Sequence, residues 1–290
     1  MTLVRFIFAF CVVFMPAFFG HAEEALEAYN LEDRPPYLWQ FPKQFKEMSG
    51  LALSADGRLF GHAEKRAVIY QIDWREGALL KTFYFGRPPA KGDFEGMAIV
   101  DKRFFLITEK GMLFEGREGF EGESKLYREH DTGLARVCEV EGLATYPEAG
   151  KLLILCRKAR DKDLKGKLTI FSWDIETGER DQAPFLQIDL TDPAIPEDLR
   201  KAKPSGLEVL PGGGGLMVLT TGKRLLIELG FDGEIRSWRA LHDKRHKNPE
   251  GLAITHDGHL IIADEAGTLQ ITVYPKGDSS ADNAEHDGEG

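Results

Sequence analysis

Three glutamates occupy the same place in a short phrase that recurs along this chain. Glu95, Glu141 and Glu250 each stand directly before a glycine, in Phe94-Glu95-Gly96-Met97-Ala98, Val140-Glu141-Gly142-Leu143-Ala144 and Pro249-Glu250-Gly251-Leu252-Ala253. Two further copies, Met48-Ser49-Gly50-Leu51-Ala52 and Pro204-Ser205-Gly206-Leu207, carry Ser49 and Ser205 there. Carboxylates brought together repel one another and stay ionised only where a cation or buried water offsets their charge. Calcium suits such a set, because it accepts six to eight oxygen ligands in a loose geometry. Magnesium is a poorer match, and zinc prefers nitrogen or sulfur. The same position could instead bond the amides of neighbouring repeats and hold them together, or supply a catalytic carboxylate.

Residues two apart on a strand share a face. A second tier therefore falls at Glu47, Asp93, Glu139, Lys203 and Asn248, expected nearer the mouth of any channel that the phrase lines. Another repeated position, Glu64, Glu109, Arg157, Thr221 and Glu265, with His62 and Asp264 beside two of them, is expected to flank that mouth. Arg157 and Lys158 could neutralise the acids or hold an anion such as phosphate; a surface ion-pair network is the alternative. His242 and His246 lie in a Lys/Arg-rich stretch and read as a solvated loop. No Gly-x-Ser-x-Gly elbow and no His-Glu-x-x-His is present, and Pro211-Gly212-Gly213-Gly214-Gly215 lacks the Gly-Lys-Ser/Thr of a phosphate loop.

Something must arrange five copies of one phrase. The glycines Gly50, Gly96, Gly142, Gly206 and Gly251 are separated by 46, 46, 64 and 45 residues, the length of a four-stranded propeller blade. Each copy leads into short apolar segments split by Gly- or Asp-containing turns such as Asp56-Gly57, Asp232-Gly233 and Asp257-Gly258, as hairpin-linked strands do. The fold class is all-β: a propeller of five four-stranded blades, with six blades the alternative although no sixth copy exists. The fifth repeat runs out after three strands, so Tyr37–Phe41 is expected to supply the fourth and close the ring, leaving no open edge. The long third step is assigned to insertions at Arg157–Lys167 and Thr191–Lys203.

The propeller is expected to span residues 35–276 as one domain. Ahead of it, Arg5, the apolar run from Phe6 to Phe19 and Gly20-His21-Ala22 read as a signal peptide over residues 1–22. The run is shorter than the roughly 20 residues of a spanning helix, so no integral span is expected after cleavage, and the location is periplasmic or secreted. The net charge of −10 argues against nucleic acid or anionic membrane as a partner, since binding those needs a basic face. Residues 277–290, acidic and almost without apolar side chains, read as a disordered tail. Cys138 and Cys156 fall on neighbouring strands of the third repeat, where an oxidising compartment allows a disulfide; two buried thiols out of register are the alternative.

The set Ser49-Gly50-Leu51, Asp93-Phe94-Glu95-Gly96, Cys138 with Glu141-Gly142-Leu143-Ala144, Ser205-Gly206 and Pro249-Glu250-Gly251-Leu252-Ala253 resembles the SdiA-regulated, YjiK-like bacterial proteins. Leu216-Met217-Val218-Leu219, Arg224–Leu229 and Asp232-Gly233-Glu234-Ile235 extend the likeness over Lys46 to Tyr274. It implies an exported or membrane-associated propeller, related in fold to phytase-like and calcium-dependent phosphotriesterase-like propellers. Family members tend to carry acids where this chain has Arg157 and Thr221, so a shared metal site would be rearranged here. Two functions are expected on this basis. One is a binding or scaffold module with a cation, or a small polar ligand, in an acidic channel lined by Glu47, Ser49, Asp93, Glu139, Ser205, Asn248, Glu109, Arg157 and Glu265. A protein partner would serve the same module. The other is a calcium-dependent hydrolase of phosphate esters or lactones, with Glu95, Glu141 or Glu250 as ligand or base.

Overall fold

In the computed structural model, the described residues are 25–32, 35–45, 47–265 and 267–277. The expected signal peptide and all but the first residue of the expected tail lie outside them. The chain forms five sheets, antiparallel but for a short parallel pairing of Ser124–Lys125 at the outer edge of the first; in the first four the innermost strand comes first in sequence. These innermost strands, Met48–Leu53, Phe94–Val100, Cys138–Tyr146, Pro204–Val209 and Pro249–Ile254, pack each against the next, and the last against the first. That cyclic order makes a five-bladed propeller. The fifth sheet is completed by Tyr37–Gln40, which pairs antiparallel with Leu269–Tyr274, so the ring closes as the sequence predicts.

Burial follows strand position. Leu216–Thr220 and Leu225–Leu229 in the fourth blade are buried on both faces, whereas outer Ile235–Ala240 is only partly covered. Inner strands are sandwiched between two neighbouring blades and so read as continuous apolar runs rather than as alternation. The core is accordingly divided into five clusters, one in each wedge between adjacent blades. Leu26, Tyr29 and Leu31 fill part of the wedge between blades four and five, so residues ahead of 35 also pack against the propeller. There the Leu26 amide donates to Glu228 Oε2 at 3.1 Å and Arg239 Nη1 to the Tyr29 carbonyl at 2.6 Å. Among the described residues no helix is long and apolar enough to cross a membrane.

The third blade carries the extra length. Glu179–Arg180 and Leu186–Asp189 both pair with Lys167–Asp174, and a short helix at Glu197–Arg200 precedes the fourth blade. In the same blade Cys138 and Cys156 form a disulfide across 18 residues of sequence. A loop of that size removes enough freedom from the unfolded chain for the bond to contribute about 3 kcal/mol. Reduction should therefore lower the urea midpoint by an amount matching that loss; identical midpoints for oxidised and reduced protein would contradict it.

Candidate cation site at the acidic mouth

Every copy of the phrase begins with a β-bulge. The register slips between Met48 and Gly50, Phe94 and Gly96, Val140 and Gly142, Pro204 and Gly206, and Pro249 and Gly251. The residue before each glycine thus has no partner across the sheet, and a bulge re-aims the side chain it carries. The following glycine lets neighbouring blades approach. A Cβ on Gly96 would lie 2.6 Å from the Leu143 amide nitrogen, and one on Gly50 3.5 Å from Gly96 Cα. The mouth is held in register by the backbone: the amides of Glu64, Glu109, Thr221 and Glu265 donate to the carbonyls of Glu47, Asp93, Lys203 and Asn248 at 2.8–2.9 Å. The two repeated positions of the sequence therefore meet at one end of the channel.

Glu95, Glu141 and Glu250 feel one another there. Burial pushes the Glu95 carboxyl up to about 9, aided by Glu141, Asp93, Glu64 and Glu250. Glu141 is pushed up to about 8 by burial, against the pull of Arg157 and with a push from Glu250 and Glu139. Glu250 is raised to about 7 by burial and by Glu265, while Asn248 Nδ2 donates to its Oε1 at 2.7 Å. Two arginines neutralise one side of the mouth. Arg157 pairs with Glu141, and Arg160 pairs with Glu109 and lies 4.0 Å from Glu139. Arg157 thus serves as an internal counter-ion.

The opposite side is different. Oxygens of Glu64, Asp93 and Glu95 all lie within 4.8 Å of one another. Ligands on opposite sides of a calcium ion are separated by about 4.6–5.2 Å, twice its bond length, so one ion could touch all three. Of the three residues expected to bind metal, Glu95 alone belongs to this group; Glu141 is paired with Arg157 and Glu250 with Asn248. Lys65 reaches in from outside, pairing with Glu64 and donating to Asp93 Oδ1 at 2.6 Å, and this holds the Asp93 carboxyl below its usual range. Glu95 has no basic side chain within ion-pair distance among the described residues.

Other expected residues separate into distinct roles. Ser205 Oγ donates to the Pro249 carbonyl at 2.8 Å and fastens blade four to blade five, and Ser49 is buried. His62 and Asp264, expected beside the mouth, have fully buried side chains, His62 with its ring against Gly50. The expectation that His246 lies in a solvated loop is also overturned. His246 is fully buried, with Nδ1 at 2.7 Å from Asp264 Oδ2 and Nε2 at 2.8 Å from Tyr274 Oη, while His242 is exposed. A basic stretch of sequence concealed a histidine that ties the fifth blade together. Lys65 and Arg160, adjacent to or three residues beyond a repeated mouth position, were the site residues that the repeats alone did not single out.

No protein-family model matches this sequence, and neither does any curated protein. Solved structures do. The glutaminyl cyclase of Myxococcus xanthus aligns with a TM-score of 0.55 at 13% identity, over 83% of this chain and 96% of that one. A luciferin-regenerating enzyme aligns with a TM-score of 0.50 at 9% identity, over 84% and 97%. A PQQ-bound aldose sugar dehydrogenase from Streptomyces coelicolor gives 0.48 at 12%, over 83% and 100%. At these identities the first two likenesses are ones of fold: the propeller is shared, and its chemistry is not carried with it.

Proposed function

We propose that this chain is an exported binding propeller of the SdiA-regulated, YjiK-like kind, whose acidic mouth takes a calcium ion and, over it, a small polar ligand. The observation that carries this reading is the convergence of Glu64, Asp93 and Glu95 around one point, with Glu95 facing only other acids. Desolvated carboxylates without a counter-charge destabilise a fold, and a hard divalent cation supplies the missing charge. The reading of residues 1–22 as a signal peptide agrees with an extracytoplasmic location.

Thermal unfolding with calcium and then with chelator tests it. Binding to the native state alone adds about 2.7 kcal/mol at a hundredfold excess over the dissociation constant. No shift, with the ion verified absent from the purified protein, would overturn the reading. A calcium-dependent hydrolase would use the same carboxylates, and the 44% exposure of the Asp93 side chain leaves an approach to the ion. Calcium-dependent turnover of phosphate esters or lactones, lost on changing Glu95, would establish that reading instead.

A further inference from the structure

The opposite end of the channel is built of different material. The last residues of all five innermost strands enclose a cavity of about 350 Å³, at the small end of ligand pockets. Its wall includes Leu53, Met97, Ile99, Leu143, Leu210 and Ile254, and no lysine or arginine lines it. Into this apolar wall the fourth blade places one carboxylate. The fifth residue of the phrase is Ala52, Ala98, Ala144 and Ala253 in four copies and Glu208 in the other. Glu208 lines the cavity. Its one bond is from the adjacent Val209 amide to Oε1, at 3.2 Å, and no basic side chain lies within ion-pair distance among the described residues.

A glutamate where the ring otherwise uses alanine gives the fold nothing that alanine does not. It joins no other blade, and it draws a carboxyl partly out of water with no basic partner, a net cost. The cavity also states which ligand charge it would accept. An anion would meet Glu208, with exposed Asp101 and Glu148 at the rim and no cation to receive it. A neutral apolar molecule would leave the carboxyl unsatisfied. An ammonium on an apolar body satisfies both, through a charge-assisted hydrogen bond at the partly covered carboxyl. The remaining titratable lining group is His256, exposed at the rim.

We propose that this cavity is a second binding site, for a small apolar amine, with Glu208 as its anionic anchor. The site stands apart from the acidic mouth and does not depend on the calcium reading. Burial pushes the Glu208 carboxyl up to about 8, so near neutrality the free protein holds a proton there that an arriving ammonium would expel.

Phenethylammonium, 2-phenylethanol and phenylacetate share one apolar body and differ in the group that would meet Glu208. Titration calorimetry of the protein at pH 7, in two buffers of different ionisation enthalpy, should give saturable binding of the amine with release of about one proton. The alcohol and the acid should bind at least tenfold more weakly. Glu208→Gln should weaken the amine at least tenfold and abolish the proton release. If that variant folds poorly, Glu208→Ala restores the residue of the other four blades and should show the same loss. Absence of saturable amine binding, equal affinity for the alcohol, or an unaltered Glu208→Gln variant would each overturn the assignment. So would amine binding that calcium displaces, since that would move the ligand to the acidic mouth.

Discussion

Glu95→Gln should abolish the gain in unfolding temperature that calcium gives, and should make the ion-free protein more stable than its parent at alkaline pH. Both effects follow from one position. Glu95 contributes one of three converging oxygen donors, and a neutral amide there removes the charge that calcium seeks while preserving shape. In the folded protein its carboxyl is pushed up to about 9, chiefly by burial, against about 4.3 in an unfolded chain. A carboxyl raised on folding stabilises the native state below the unfolded value, and that contribution is lost as pH rises through the folded value. In chelator, parent and variant should therefore unfold alike near pH 4, and the variant should lead increasingly up to pH 9. Calcium reverses the ranking, because it holds the carboxylate ionised, so the parent's response to the ion should be larger at pH 9 than at pH 5. Lys65→Met is the companion change. Lys65 competes with the ion for Glu64 and Asp93, and a pair this exposed is worth roughly 0–1 kcal/mol, so its removal should tighten calcium a few-fold. A Glu95→Gln protein that keeps the full calcium shift would remove this site from consideration.

The glycine spacing was enough to read five blades, and the missing fourth strand of the last repeat was enough to assign Tyr37–Phe41 to ring closure, where the structure has the strand Tyr37–Gln40. These are long-period features that no local accident imitates. The acidic mouth was legible in outline, because Glu64, Asp93 and Glu95 each fall on a repeated position. Which acids converge was not. Strict alternation treats a strand as regular, and the bulge before every glycine re-aims Ser49, Glu95, Glu141, Ser205 and Glu250. Counter-ions were equally hidden. Lys65 and Arg160 are ordinary surface residues in sequence, and only the folded mouth selects which carboxylate each one meets. His246 shows the same limit: its partners Asp264 and Tyr274 lie 18 and 28 residues away. Glu208 is a contrasting case. Its departure from alanine is visible in the aligned phrases, but its meaning requires the cavity that it lines.

Gly96→Ala should cost the propeller about 3 kcal/mol or more, at the upper end of overpacking losses, whereas Gly142→Ala should be nearly neutral. The two glycines hold the same place in successive blades, yet their surroundings differ. An added Cβ at Gly96 would come within 2.6 Å of the Leu143 nitrogen and 2.9 Å of the Gly142 carbonyl carbon. Those are backbone atoms of the next innermost strand, which cannot rotate aside. At Gly142 the nearest atoms, of Leu155 and the Leu207 amide, stand at 3.4 Å, an ordinary contact distance. Neither glycine has a positive φ, so alanine is not strained there. Its lower freedom in the unfolded chain even favours folding by about 0.4–1 kcal/mol. Urea midpoints of the two variants decide the matter. Equal and small losses would mean that the blades can part at Gly96, and that the bulge, rather than close approach, is why glycine recurs in the phrase. A large loss at Gly96 alone makes the contact between blades two and three tighter than that between blades three and four. Because Glu95 is the residue bulged immediately before it, the same contact would then fix where this carboxylate of the acidic mouth can point.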